Sequence, residues 1–139
     1  MKNLLLLILL IALTSCAPAG PKNAADVAGE YIYKYKSGHV EVIILSSDLR
    51  FRHYLYLNED AYAGQVHALY TNEGVWSYDR TTLLADHWLE SFNLNNIEKP
   101  LDQPTASDWN VFWNAPSGGE EATINDAVDL GYIFVRVKK

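Results

Sequence analysis

From Gly29 onward the apolar residues of this chain recur at every second position and are rich in β-branched and aromatic types, the pattern of strands with one buried face. Gly29–Tyr35 sets Tyr31, Tyr33 and Tyr35 on one face, with Glu30 and Lys34 flanking Ile32 on the other. Ser37-Gly38 reads as a turn, His39–Leu45 as the second strand and Ser46-Ser47-Asp48 as the next turn. Leu49–Asn58 is a third strand in which Phe51, His53, Leu55 and Leu57 alternate with Arg50, Arg52, Tyr54 and Tyr56. For the hairpin between the second and third strands, a two-residue loop at Ser46-Ser47 opposes Glu41 to Arg52. That register gathers Val40, Val42 and Ile44 with Phe51 and Leu55 on one core face. A bulged turn at Leu49 is the alternative, and it puts leucine where glycine is wanted, so the first register is the expectation.

Further along, Glu59–Gln65 reads as an exposed connection, with strands at Val66–Thr71, Gly74–Tyr78 and Thr81–Leu89 and a turn at Asp79-Arg80. The alternation breaks between Glu90 and Asp108, where Asn93, Asn95, Asn96, Pro100, Pro104 and Ser107 cluster, and a loop of that length in a compact domain is functional, partly helical or disordered. Trp109–Trp113 is apolar enough for a strand, Ala115–Gly119 is a turn, and Glu121–Asn125 with Gly131–Val137 forms a terminal hairpin. No repeat of fixed period stands out. Strand after strand with tight links predicts an all-β antiparallel meander of about eight strands, a barrel or half-barrel, as a single domain over 28–139.

The N-terminus has a different pattern. Met1-Lys2-Asn3 precedes an unbroken apolar run, Leu4–Leu13, in the order of an export signal, and the run is shorter than the roughly 20 residues a spanning helix needs. Leu13-Thr14-Ser15-Cys16 then resembles the bacterial lipobox, and Cys16 is the only cysteine. The resemblance implies a signal peptide over 1–15, a diacylglyceryl group on the Cys16 thiol, cleavage before it, and a membrane partner reached through that lipid. Ala17 follows in place of the aspartate of an inner-membrane retention signal, which implies the outer membrane in a two-membrane host. Residues 16–27, punctuated by Pro18, Gly20 and Pro21, read as a flexible tether.

Charge and candidate chemistry narrow the function classes. The formal net charge of −6 makes nucleic acid and anionic lipid headgroups poor partners. His39, His53, His67 and His87 are scattered singly with no ligand at metal spacing, so neither a metal nor another cofactor is expected. Glu120, Glu121, Asp126 and Asp129 lack calcium-loop spacing and read as a solvated acidic rim. No serine lies in a nucleophile motif, and the chain is not expected to be an enzyme.

Aromatics are the abundant feature, with nine Tyr, four Trp and four Phe. Trp76, Trp88, Trp109, Trp113, Tyr31 and Tyr33 either fill a barrel interior or contribute to a ligand or partner surface. The run of short strands, the rings throughout and Gly74-Val75-Trp76 before a turn resemble small lipocalin-like β-barrel lipoproteins of bacterial envelopes. Two functions follow as expectations: a non-catalytic binding or interaction module that engages an envelope component through an aromatic face or the long loop, or a lipocalin-like carrier of a small apolar ligand. A carrier needs an interior cavity; an interaction module packs that space solid.

Overall fold

The computed structural model describes residues 20–138, so the signal peptide and the lipobox residues Leu13, Thr14, Ser15 and Cys16 lie outside the described residues. Eight strands run in chain order around a closed barrel: β1 (Gly29–Lys34), β2 (Val40–Leu45), β3 (Arg50–Tyr56), β4 (Tyr70–Asp79), β5 (Thr82–Glu90), β6 (Thr105–Asn114), β7 (Thr123–Ala127) and β8 (Tyr132–Arg136). Each pairs antiparallel with its neighbour, and β8 returns to β1 through Tyr31 opposite Arg136 and Ile32 opposite Val135. The meander therefore closes fully and leaves no unpaired edge strand, the solution that removes templates for unwanted pairing.

The β2–β3 hairpin takes the other register from the expected one. Leu45 pairs with Phe51, Ile43 with His53 and Glu41 with Leu55, so Arg52 faces Ile44 and not Glu41. Leu49 adopts a left-handed φ of 66° in a bulged turn closed by its own N–H on the Ser46 carbonyl. Burial on both sides of β2 decides the register. Ile43 and Leu45 point inward with Phe51 and Leu55, whereas Val40 and Val42 form a second apolar cluster outside the barrel with Tyr54, Tyr56 and Tyr62. A short helix, α2 (Glu59–Ala63), covers that outer cluster through Ala61 and Tyr62. A strand covered on both faces loses the alternation from which its inward side is read.

The strand expected at 66–71 starts only at Tyr70, residues 66–69 belonging to the preceding connection, and it runs on through the one expected at 74–78 as a single β4, because Gly74 lies inside the ladder opposite Phe51. A β-carbon on Gly74 would lie 2.8 Å from Phe51 Cε1 and 2.7 Å from the Asp86 carbonyl oxygen. The glycine thus marks a close approach rather than a turn. Strand β6 begins at Thr105, which shortens the irregular stretch to residues 91–104.

In a meander the connections alternate between the two ends. One end, the loop end, carries the turn at 35–39, the 57–69 connection with α2, the 91–104 loop and the 3₁₀ turn Val128–Leu130. The opposite end receives the N-terminal segment. There, within the stretch expected as a tether, Ala24–Val27 forms helix α1, capped reciprocally by Asn23 and Asp26. Val27 is wholly buried, its carbonyl accepts from the Tyr31 hydroxyl at 2.6 Å, and the Trp113 indole N–H donates to the same hydroxyl at 3.0 Å. Apolar contact and these two hydrogen bonds close this end of the barrel.

Candidate functional site

The barrel interior is aromatic and apolar but for a few polar groups, gathered chiefly around Glu41. Glu41, the single charged residue in the apolar run of β2, points inward by the same alternation as Ile43 and Leu45, and it is wholly buried. Its carboxylate is surrounded by hydrogen-bonding groups. Tyr35 Oη donates to Oε2 at 2.8 Å, Tyr132 Oη donates to the same oxygen, Ser91 Oγ donates to Oε1, and His53 Nε2 lies 2.5 Å from Oε1. Tyr35, Tyr132 and Ser91 also touch one another at 3.0–3.4 Å.

Each partner arrives from a different element. His53 comes from the middle of β3, Tyr132 from the start of β8, Tyr35 from the turn directly after β1 and Ser91 from the first position of the 91–104 loop. A buried charge is tolerated only when it is paired and hydrogen-bonded, and this one has four partners. Burial, followed by the neighbouring Glu41 charge, holds the Tyr35 and Tyr132 hydroxyls far above the ordinary phenol range. They therefore act as fixed donors. His53 Nδ1 is buried, its ring against Trp88, and it has no hydrogen-bond partner among the described residues.

A second acid, half-buried, faces the tryptophans. Asp126, on β7, accepts from the Trp88 indole N–H at 3.1 Å and the Trp109 indole N–H at 2.6 Å. Burial pushes its carboxyl up to about 6, opposed by those two indole donors. The irregularity of β5 between Ala85 and Trp88 turns Trp88 inward to reach it, while Asp86 and His87 are taken up by the bulge.

The connectivity of the first cluster decides its chemistry. Ser91 and His53 both contact Oε1 of Glu41, which places the carboxylate between hydroxyl and imidazole. A nucleophile triad needs the imidazole in the middle to take the hydroxyl proton. This arrangement instead stabilises a buried anion.

The aromatic residues singled out in the sequence are mostly part of the packing. Trp76, Trp88, Trp113 and Tyr31 are each at most 3% exposed and belong to the core cluster, with Trp109 and Tyr33 half-buried against it. Trp76 donates to the Ser46 and Arg50 carbonyls, both at 3.1 Å, which ties β4 to the β2–β3 turn. The anticipated acidic rim is divided: Asp126 lies inside, whereas Glu121 pairs with Lys138 at 3.1 Å on the surface. Among the described residues no group of three or more His, Cys, Asp or Glu side chains is placed to hold a metal ion.

Sequence reasoning placed neither Glu41 nor Ser91, Tyr132 or Asp126 in a site. The one signal available was a lone carboxylate inside Val40–Leu45, where every other residue is Val, Ile or Leu. The fold and its interior define an eight-stranded meander barrel with a carboxylate cluster set in an aromatic core. Comparison of the chain with protein-family models, curated proteins and solved structures finds no match.

Proposed function

We propose that the chain is a lipid-anchored envelope protein that acts as a non-catalytic binding module and engages another envelope component through the loop end of its barrel. One observation carries the reading: of the ten large apolar residues exposed among the described residues, Leu57, Val66, Leu69, Leu94 and Ile97 sit on the two long connections of that end. Exposed apolar groups gathered in this way are the usual mark of a contact surface. Between the two connections lies a groove of about 280 Å³ lined by Leu55, Leu69, Tyr70, Pro100 and Leu101 together with the polar His39, Lys99 and Asp102, roomy enough for one large side chain of a partner. The interior supports the same reading over the small-ligand carrier, since Trp88, Tyr31, Phe51, Phe134, Ile43 and Leu55 are fully buried there.

Anchoring at Cys16 suits this arrangement. The four residue-to-residue steps from Cys16 to Gly20 reach at most about 14 Å, and Gly20 rests against Arg80 at the opposite end of the barrel. A lipid on Cys16 then holds the opposite end at the membrane and presents the loop end to the envelope space. Among the described residues no helix is long and apolar enough to cross a membrane.

Photo-crosslinking in intact cells tests the reading. A benzophenone side chain at Leu94 is expected to give a discrete adduct that the same group at Phe112, on the outer face of β6, does not give. Identical adducts from both positions, or none, would overturn it. Separately, Cys16→Ser is expected to move the protein out of the membrane fraction, and its retention there would remove the lipid anchor from the account.

A further inference from the structure

Around Glu41, the long loop contributes Ser91 and Phe92. Ser91 Oγ donates to the carboxylate, and the half-buried Phe92 ring lies against Tyr132 with centroids 5.2 Å apart and planes at 35°. The remaining walls belong to the barrel and its tight first hairpin. Tyr33 packs edge-on to Tyr35 at 4.9 Å and to Tyr132 at 4.6 Å, and Tyr132 packs edge-on to Phe134 at 5.1 Å.

Beyond the buried Ser91 side chain and the buried Pro100, few groups hold the loop down. Its backbone ties are the Leu101 N–H to the Ser91 carbonyl at 2.6 Å and the Ser37 N–H to the Glu98 carbonyl at 2.9 Å, joined by the Tyr70 hydroxyl on the Asp102 carbonyl at 2.7 Å. Its ion pairs, Lys36–Glu98 and Lys99–Asp102, are exposed and so hold weakly. Lifting the start of the loop withdraws Ser91 and Phe92 together. That leaves a carboxylate oxygen short of one donor, facing three tyrosine rings and a space the shape of a benzyl group.

We propose that this is a binding site for a small organic amine on an aromatic body, and that Ser91 and Phe92 are the chain's own stand-in for that ligand. The ammonium takes the place of the Ser91 hydroxyl on Glu41 Oε1, and its ring takes the place of Phe92 against Tyr132. An ammonium suits the site for two reasons. It neutralises a buried carboxylate, which a hydroxyl cannot do, and it can donate to the Tyr35 and Tyr132 hydroxyl oxygens that meet Ser91 Oγ. The Ser91 bond to the carboxylate is already charge-assisted, so the advantage of the ammonium lies in its full opposite charge. The inference shares the 91–104 loop with the protein-partner reading but rests on different residues, the buried Ser91 and the half-buried Phe92 and not the exposed Leu94 and Ile97.

Titration calorimetry of the full chain in detergent micelles, with blank micelles subtracted, tests it using 2-phenylethylamine and its uncharged counterpart 2-phenylethanol. Saturable heat is expected from the amine, with the alcohol about tenfold weaker or worse. Removing the stand-in with the double variant Ser91→Ala, Phe92→Ala is expected to tighten amine binding by about tenfold, whereas a purely structural role for these residues would leave affinity unchanged or lower it. Glu41→Gln, checked for folding by circular dichroism, is expected to abolish the preference for amine over alcohol. No saturation with the amine in either the wild-type protein or the double variant, equal binding of the two probes, or no tightening in the double variant overturns the proposal. The last two hold even if Glu41→Gln fails to fold.

Discussion

Glu41 and His53 meet inside the barrel with 2.5 Å between Oε1 and Nε2 and both side chains wholly buried. The pair does not join directly opposed residues, since Glu41 is opposite Leu55 and His53 opposite Ile43; it spans the diagonal of the β2–β3 ladder on its inward face. Removing one member leaves the other buried without its partner, so His53→Ala and Glu41→Ala are each expected to lower stability by about 3–5 kcal/mol. Replacing both by apolar residues of similar volume, as in Glu41→Met with His53→Leu, is expected to cost far less than the sum of the single changes. Urea unfolding of the four proteins gives the coupling directly, and simple additivity would show that the pair does not act as a unit.

Burial pushes the Asp126 carboxyl up to about 6 in the folded protein, above its ordinary value of 3.8. Between those values the folded state keeps a proton that the unfolded state has released. Stability contributed by this group is therefore present at low pH, falls as pH rises from about 4 to about 6, and is constant above. The full excursion is at most about 3 kcal/mol. Asp126→Asn removes this dependence, so the stability of the wild-type protein relative to the variant is expected to improve as pH is lowered from about 7 to about 4. A difference that stays level across that range would contradict the assignment.

Gly74→Ala introduces a β-carbon against the Asp86 carboxylate and backbone and the Phe51 ring. The ladder on the β3 side fixes the backbone there, so the neighbours must shift. A loss of about 1–3 kcal/mol is expected, read as a lower melting temperature. An unchanged melting temperature would mean that the β4–β5 seam is looser than the packing around Gly74 implies.

Leu49 holds a φ of 66° and is 39% exposed, so it carries backbone strain and contributes only part of its side chain to burial. Leu49→Gly is expected to raise stability by about 1 kcal/mol. The denaturation midpoint should move up with the slope unchanged, and a lower midpoint would mean that the leucine side chain outweighs the strain.

The sequence made the strands legible where burial is one-sided. β1 and β3 alternate cleanly, and the meander follows from the tight turns between them and their successors. It failed on β2 because Val40, Val42 and Ile44 are apolar for a different reason from Ile43 and Leu45. The former lie beneath α2 outside the barrel and the latter line its interior, and a window of residues does not separate the two. The same ambiguity hid the candidate site. Glu41 reads as an outward residue of an alternating strand, and its partners Ser91 and Tyr132 are 50 and 91 positions away along the chain. Only closure of the barrel makes them neighbours.

The ladder that closes the barrel is its shortest, two residue pairs between the first strand and the last. The ring cannot be completed until the C-terminal residues are available, and an incomplete chain presents two open strand edges instead of none. Folding of this protein is thus tied to receipt of the whole message: a polypeptide cut short before β8 would lack Tyr132 as well as the closing strand, and its acidic interior would stand open to solvent.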